Sequence, residues 1–145
     1  MRACGVELVG NEAIISIIQL ENGLYDVPKV RATKLILPDA INTNPIKKFQ
    51  FDFSQLMKDY KVDTIVIRQR ALKGKFAGNP LSFKLEGAIQ LIADIDVYVL
   101  SAAYIKEGLS RAQVKPNARE VGLKQFQEQA MLTAFAYLEN QAAAK

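Results

Sequence analysis

The sequence predicts an α/β fold, with a five-stranded mixed sheet flanked by helices on both faces. Two apolar segments, residues 2–9 and 12–20, are joined by Gly10-Asn11, a dipeptide typical of tight hairpin turns. After residue 44 the apolar residues recur at spacings of three and four, which is the helical period, and these stretches alternate with short apolar strands. Strands joined through helices are normally parallel with right-handed crossovers. The expected order of elements is therefore β-β-β-α-β-α-β-α.

The third predicted strand runs from Val30 to Leu37 and carries interleaved basic residues. Its connection to the second strand contains Asn22-Gly23 and Pro28, which are turn-forming residues. Three strands in succession predict an antiparallel meander.

Asn44-Pro45 and Asn79-Pro80 both predict the start of a helix, because asparagine caps helices and proline fits the first turn. Thr64–Ile67 and Val97–Leu100 are the short apolar strands that follow these helices. The apolar stripe of the first helix is Ile46, Phe49, Phe53, Leu56 and Tyr60, and that of the second is Leu81, Leu85, Ala88, Ile89 and Ile92.

The C-terminal part of the chain predicts two more helices. Ser101 is expected to cap a short helix that ends near Gly108, and a last helix is expected from about Val121 to Asn140. No composition shift or linker divides the chain. We therefore expect a single domain over residues 1–140 and a frayed C-terminal tail over residues 141–145.

The composition excludes several classes of site. The chain of 145 residues has no histidine and one cysteine, Cys4. Zinc sites of the usual type, Ser-His-Asp triads and Cys-His pairs are therefore excluded, and any metal would be a hard cation held by oxygen. The net charge of +4 permits a polyanionic partner. No apolar run is long enough to span a membrane, and one cysteine fits a reducing compartment, so a cytoplasmic protein is expected.

Glu7 is an acid within the first apolar strand. Burying an unpaired carboxylate is strongly unfavourable. The sequence therefore predicts that Glu7 has a cation within salt-bridge reach, or that it takes part in chemistry.

The order of elements, with an acid in the first strand, resembles the RNase H-like fold. Residues 5–11, Gly-Val-Glu-Leu-Val-Gly-Asn, resemble the "Gly-Ile-Asp-x-Gly-Ser" strand of RuvC-type Holliday junction resolvases, with one extra residue before the glycine. Residues 66–69, Val-Ile-Arg-Gln, are similar to the "Ala-Ile-Glu-Gln" strand of those enzymes, and residues 127–136 are similar to their last helix. The chain most resembles an uncharacterised bacterial family of small proteins near that branch. The resemblance implies an RNase H-like sheet with the first strand at its centre.

The resemblance also implies a site in which about four carboxylates hold two metal ions roughly 4 Å apart. Carried over residue by residue, Glu7 keeps the first acid, Arg68 replaces the second and Glu128 matches the first acid of the last helix. Met131 falls where the remaining acid would be. We therefore expect the two-metal nuclease site to be degraded. If catalysis persists, Glu7 and Glu128 are the catalytic residues and would hold Mg²⁺; no cofactor is certain. Glu7 and Arg68 could equally form a buried ion pair with a structural role.

A basic loop follows the strand that contains Arg68. It carries Arg68, Arg70, Lys73 and Lys75 ahead of a helix start, with no acid nearby to offset them, and Phe76 could stack on a base. Ligands of α/β proteins favour this edge of the sheet, and helix N-termini attract phosphate. These four cations are the predicted anion- or nucleic-acid-binding residues, although a solvated loop is the simpler alternative. A second basic stretch, Lys106, Arg111, Lys115, Arg119 and Lys124, could extend such a surface but is more simply a solvated connection.

Three functions remain open from the sequence. The first is an RNase H-like protein that binds nucleic acid with its nuclease site degraded. The second is a divergent Mg²⁺-dependent phosphodiesterase or nuclease, and the third is a non-catalytic interaction domain. The sequence suggests no membrane partner, and it is compatible with a homodimer.

Overall fold

Six strands and four α-helices follow one another in the computed structural model, which describes residues 1–75 and 77–145. The strands are β1 (Arg2–Val9), β2 (Glu12–Glu21), β3 (Leu24–Asp26), β4 (Lys34–Ile36), β5 (Thr64–Arg68) and β6 (Asp96–Leu100). The helices are α1 (Thr43–Asp59), α2 (Pro80–Gln90), α3 (Ala102–Ser110) and α4 (Glu128–Ala143). Two short 3-10 helices, Arg119–Val121 and Gln125–Gln127, precede α4.

The strands form one mixed sheet in the order β3-β2-β1-β5-β6, and β4 also pairs with β2. β1 pairs antiparallel with β2 and parallel with β5, and β5 pairs parallel with β6. The first strand therefore lies at the centre of the sheet, and the predicted fold class is confirmed.

The predicted third strand is replaced by two short strands on the same edge of β2. Gln19 of β2 pairs with Asp26 of β3, whereas Ala13 pairs with Leu35 of β4. Pro28 lies between these two pairings, and proline has no N–H to donate to a ladder. Over the described residues the sheet therefore has six strands rather than five, and residues 27–33 detour around the middle of β2.

The predicted starts of the second and third helices are confirmed. The side chain of Asn79 accepts a hydrogen bond from the Leu81 N–H (2.8 Å) at the start of α2, and Ser101 Oγ accepts one from the Tyr104 N–H (3.1 Å) at the start of α3. The other two starts differ from the prediction. α1 begins at Thr43 with Asn42 as its N-cap residue, so Asn44 lies inside the helix rather than capping it, and α4 begins at Glu128 rather than at Val121. Gly122 has a φ of 85°, in the left-handed region, and this ends the first 3-10 helix.

Helices cover both faces of the sheet, and the alternation of side chains along β1 assigns each residue to one face. Cys4, Val6 and Leu8 lie in a core with α1 and α2, whereas Ala3 lies in a second core with α4. Gly5 and Glu7 share the face of Ala3, because side chains alternate along a strand.

Candidate functional site

The parallel pairing of β1 and β5 brings Glu7 and Arg68 side by side. Val6 pairs with Ile67, so the next position in this register sets Glu7 beside Arg68. Both residues lie near the carboxyl ends of their strands, at the same edge of the sheet. The adjacency expected from the resemblance is therefore present.

The salt bridge expected for Glu7 is not formed. Within residues 1–75 and 77–145, Glu7 takes part in no salt bridge, although Arg68 is close enough to act on its charge. Partial burial of the carboxyl raises the pKa of Glu7, and the positive charge of Arg68 opposes this rise. Glu7 is therefore an acid that is more easily protonated than an exposed glutamate.

Arg68 lines a basic cleft between α3 and α4. The cleft has a volume of about 380 Å³, and its polar lining includes Lys106 of α3, Gln129 of α4 and Lys115 from the segment between these helices. The other lining residues are Ala102, Ile105, Leu109, Ser110 and Leu132, and none of the lining residues is acidic. The fold therefore gathers three cations from three separate segments at one edge of the sheet.

Lys106 and Lys115 belong to the second basic stretch of the sequence, for which a solvated connection is the simpler expectation. Arg111, from the same stretch, has other partners: it pairs with Glu107 (2.9 Å) and donates to Asn140 (3.0 Å). Position relative to the helix separates these residues, because Lys106 lies within α3 whereas Arg111 is the C-cap residue that follows it.

Glu128 is engaged with the segment that leads into α4. Its Oε1 accepts a hydrogen bond from the Ala118 N–H (3.3 Å), and its Oε2 accepts one from Gln125 Nε2 (3.1 Å). Met131 is buried in the core, and the residues of α4 that line the cleft with Arg68 are Gln129 and Leu132. The helix therefore turns a neutral amide and an apolar side chain toward the cleft.

The donor set does not fit a pair of metal ions. Among the residues that the structure describes, no group of three or more His, Cys, Asp or Glu side chains could hold a metal ion. A fixed positive charge, Arg68, stands beside the acid of the central strand, Glu7. Two-metal catalysis needs several carboxylate oxygens around its ions, and these residues do not provide them.

Arg70 of the basic loop is held by α2 rather than by solvent. Its guanidinium donates to Ser82 Oγ, pairs with Glu86 (3.0 Å) and lies 4.3 Å from the centroid of the Phe83 ring. The Arg70 and Glu86 side chains are only 13% and 17% exposed. The expectation that no acid offsets the loop cations is therefore wrong, because Glu86 neutralises Arg70.

The remaining cations of the basic loop, Lys73 and Lys75, are exposed. The loop around them is closed by a hydrogen bond from the Gly78 N–H to the Ala71 carbonyl (2.8 Å). A Cβ on Gly78 would lie 3.0 Å from the Phe83 ring, so glycine lets the loop return closely to α2. Phe76, the predicted base-stacking residue, lies outside the described residues.

A family model described as a protein of unknown function, DUF3010, matches residues 1–137, so the chain belongs to the DUF3010 family. No functionally curated protein matches the sequence.

Solved Holliday junction resolvases share the fold. The structure of Thermus thermophilus RuvC is 10% identical, with a TM-score of 0.75 over 99% of this chain and 97% of that one. T. thermophilus RuvC in complex with a Holliday junction substrate is 13% identical, with a TM-score of 0.66 over 99% and 96% of the two chains. The yeast mitochondrial resolvase Ydc2 is 9% identical, with a TM-score of 0.58 over 97% and 80%. At these identities the likeness establishes an RNase H-like, RuvC-like fold.

None of the described helices is long and apolar enough to cross a membrane.

Proposed function

We propose that this member of the DUF3010 family binds nucleic acid through the cleft between α3 and α4, without two-metal cleavage. The observation that carries the proposal is the convergence of Arg68, Lys106 and Lys115 on one cleft whose lining contains no acid. Arginine binds phosphate with a planar fork of donors, and lysine adds a flexible point charge. Gln129 supplies a neutral amide that can hydrogen-bond sugar or phosphate oxygens.

The basic loop extends this surface in the proposal. Lys73 and Lys75 are exposed and follow β5 at the same edge of the sheet as Arg68. Arg70 is expected to contribute through the conformation of the loop, because its guanidinium is already paired with Glu86. The phosphate-binding residues are thus Arg68, Lys106 and Lys115, with Lys73 and Lys75 at the periphery.

The fold supports this proposal by analogy. A relative in fold, T. thermophilus RuvC, has been solved in complex with a Holliday junction substrate. Branched DNA is therefore the first ligand to test, followed by duplex and single-stranded DNA and RNA.

The test is the fluorescence anisotropy of labelled four-way junction, duplex and single-stranded oligonucleotides at low salt. The triple variant Arg68→Ala, Lys106→Ala, Lys115→Ala should bind at least about tenfold more weakly than the wild type, because charged contacts to phosphate dominate affinity. The matched control is Lys47→Ala, Lys48→Ala, Lys58→Ala, which removes the same charge from α1 on the opposite face of the sheet. Equal losses in both triples would show a general effect of charge rather than a site.

The same oligonucleotides, incubated with Mg²⁺, test the alternative of a divergent phosphodiesterase. Cleavage that Glu7→Gln and Glu128→Gln each abolish would favour that alternative, in which these two residues are catalytic. Neither binding nor cleavage would favour an interaction domain, and sedimentation would then show whether the chain forms a homodimer.

A further inference from the structure

A second cavity, separate from the basic cleft, lies along the side of β2 that faces away from β1. It has a volume of about 540 Å³ and is enclosed by the middle of β2, the detour at residues 27–33 and the segment 121–127. Its lining residues are Ile15, Ser16, Ile17, Val27, Pro28, Lys29, Val30, Ala32, Thr33, Val121, Gly122, Leu123, Lys124 and Gln127. This volume is in the range of small-molecule sites, about 300–1,000 Å³.

The backbone of β2 is incompletely paired at this cavity. Ile15 is satisfied, because its N–H donates to the Thr33 carbonyl (3.0 Å) and its carbonyl accepts from Gln127 Nε2 (2.8 Å). In an antiparallel strand the N–H and C=O groups of every second residue point to the same side. Those of Ile17 therefore point to the same side of β2 as those of Ile15. Pro28 would lie opposite Ile17 if the β2–β3 register continued. Within the described residues, the Ile17 N–H donates no hydrogen bond to the detour.

Ser16 supplies a second unpaired donor. Its side chain is 2% exposed, and its Oγ has no hydrogen-bond partner among the described residues, although the residue lines the cavity. Leaving a buried hydroxyl unsatisfied destabilises the folded state. Buried polar groups normally have partners. The Ser16 Oγ is covered in this structure, so a ligand in the cavity would meet it after the side chain turns to another of its staggered rotamers.

The charges and walls of the cavity define the ligand. Lys29 and Lys124 are exposed residues of its lining, and the lining contains no acid. Most of the remaining wall is aliphatic. The peptide N–H and the two ammonium groups can only donate, and the Ser16 hydroxyl can donate as well. Together with the aliphatic wall, they favour a negatively charged acceptor attached to an apolar body.

From these observations we propose that the cavity binds a small organic carboxylate with an apolar body. The carboxylate accepts from Ser16 Oγ, the Ile17 N–H and the lysines, and the apolar body packs against the aliphatic wall. The Ile17 carbonyl is left facing the same edge, and a hydroxyl or amide donor on the ligand would satisfy it. This site is independent of the proposed nucleic-acid cleft, with which it shares no lining residue.

The test is a ¹⁵N–¹H NMR titration of the full chain with sodium benzoate and sodium 4-methylpentanoate. Benzamide and 4-methylpentanamide serve as uncharged analogues of the same shape. The expected result is saturable shifts of the Ser16, Ile17 and Leu123 amides with the carboxylates, and at least about tenfold weaker binding of the amides, a difference of about 1.4 kcal/mol. The proposal is overturned if no carboxylate gives saturable shifts at these residues, or if the amides bind as well.

Two variants separate a built site from general attraction. Lys29→Gln with Lys124→Gln should weaken carboxylate binding about tenfold, because both ammonium groups act on one carboxylate. Lys106→Gln with Lys115→Gln, in the other cleft, should leave it unchanged. Ser16→Ala should also weaken binding, and its amide spectrum reports whether the variant remains folded. The proposal is also overturned if the two double-lysine variants weaken carboxylate binding equally. It is overturned as well if Ser16→Ala and the Lys29→Gln, Lys124→Gln variant both bind the carboxylates as tightly as the wild type.

Discussion

Arg68 lies beside Glu7 in the β1–β5 register, yet the two residues form no ion pair. Arg68 instead lines the cleft between α3 and α4. Its charge still lowers the pKa of Glu7, against the larger effect of burial, which raises it. The pair is thus coupled through space while the guanidinium remains available to a ligand.

This coupling predicts the effect of Arg68→Ala on Glu7. The pKa of Glu7 should rise further, because the stabilising positive charge is removed while burial persists. ¹³C-detected titration of the Glu7 carboxyl measures it, and Arg68→Lys is the matched control that should keep most of the wild-type value. An unchanged pKa in Arg68→Ala would show that the two charges do not interact.

Glu7 also gives the folded state a defined pH dependence. Its pKa in the folded protein lies above the ordinary value of 4.5, so the folded state binds this proton more tightly than the unfolded chain. The ionised form therefore costs stability above the raised pKa, and the cost disappears as the pH falls to 4.5. Relative to wild type, Glu7→Gln should become progressively less stable as the pH is lowered through this window. Urea unfolding at several pH values checks this sign, and a difference that grows in favour of Glu7→Gln at lower pH would contradict it.

Gly5 allows α4 to lie directly on the central strand. A Cβ on Gly5 would be only 1.8 Å from the Ala130 carbonyl oxygen and 2.9 Å from the Ala134 backbone nitrogen. Gly5→Ala should therefore destabilise the fold by about 1–3 kcal/mol or more, because the backbone of a packed helix must shift. Gly87→Ala is the control, since a Cβ there meets nothing within 4 Å and alanine favours the helix. Comparable stabilities of the two variants, measured by urea unfolding, would show that α4 is not closely seated.

Arg70 should act as a structural residue of the loop. Removing one partner of a largely buried ion pair typically costs about 3–5 kcal/mol, because the other charge is left unpaired. Arg70→Met should therefore destabilise the protein strongly, and Arg70→Met with Glu86→Gln should destabilise it by less than the sum of the single effects. Lys73→Ala, at an exposed position of the same loop, should change stability by less than about 0.5 kcal/mol. Additive effects at Arg70 and Glu86, measured by urea unfolding, would mean that the ion pair does not hold the loop.

Local patterns in the sequence predict most of the fold. The Gly10-Asn11 turn, most positions of the helical stripes and the caps at Asn79 and Ser101 are short-range signals that the structure confirms, whereas Leu81 of the second stripe is exposed. The division of the edge strand depends on Pro28, and the late start of α4 depends on Gly122. The effect of each of these single residues can be predicted only when the pairing and packing of the elements are known.

The candidate site is less accessible to sequence reasoning. Glu7 and Arg68 could be brought together only through a fold resemblance, because 61 positions separate them along the chain. Lys106 and Lys115 join Arg68 because α3 and α4 pack across the sheet edge, which no local pattern describes. Conversely, Arg70 is indistinguishable in sequence from Lys73, and only the packing of α2 reveals its partner, Glu86.

The most direct test of nucleic-acid binding by the cleft is the salt dependence of four-way-junction affinity. The wild type should give a steep linear plot of log Kd against log salt between about 50 and 200 mM. The reason is that arginine and lysine side chains that contact phosphates release the counterions held by the DNA. In the Arg68, Lys106, Lys115 triple-alanine variant the slope should fall by about 0.9 for each phosphate that is no longer neutralised, while the α1 control keeps the wild-type slope. Equal slopes in the wild type and the cleft variant, or no binding by the wild type at the lowest salt, would contradict the account.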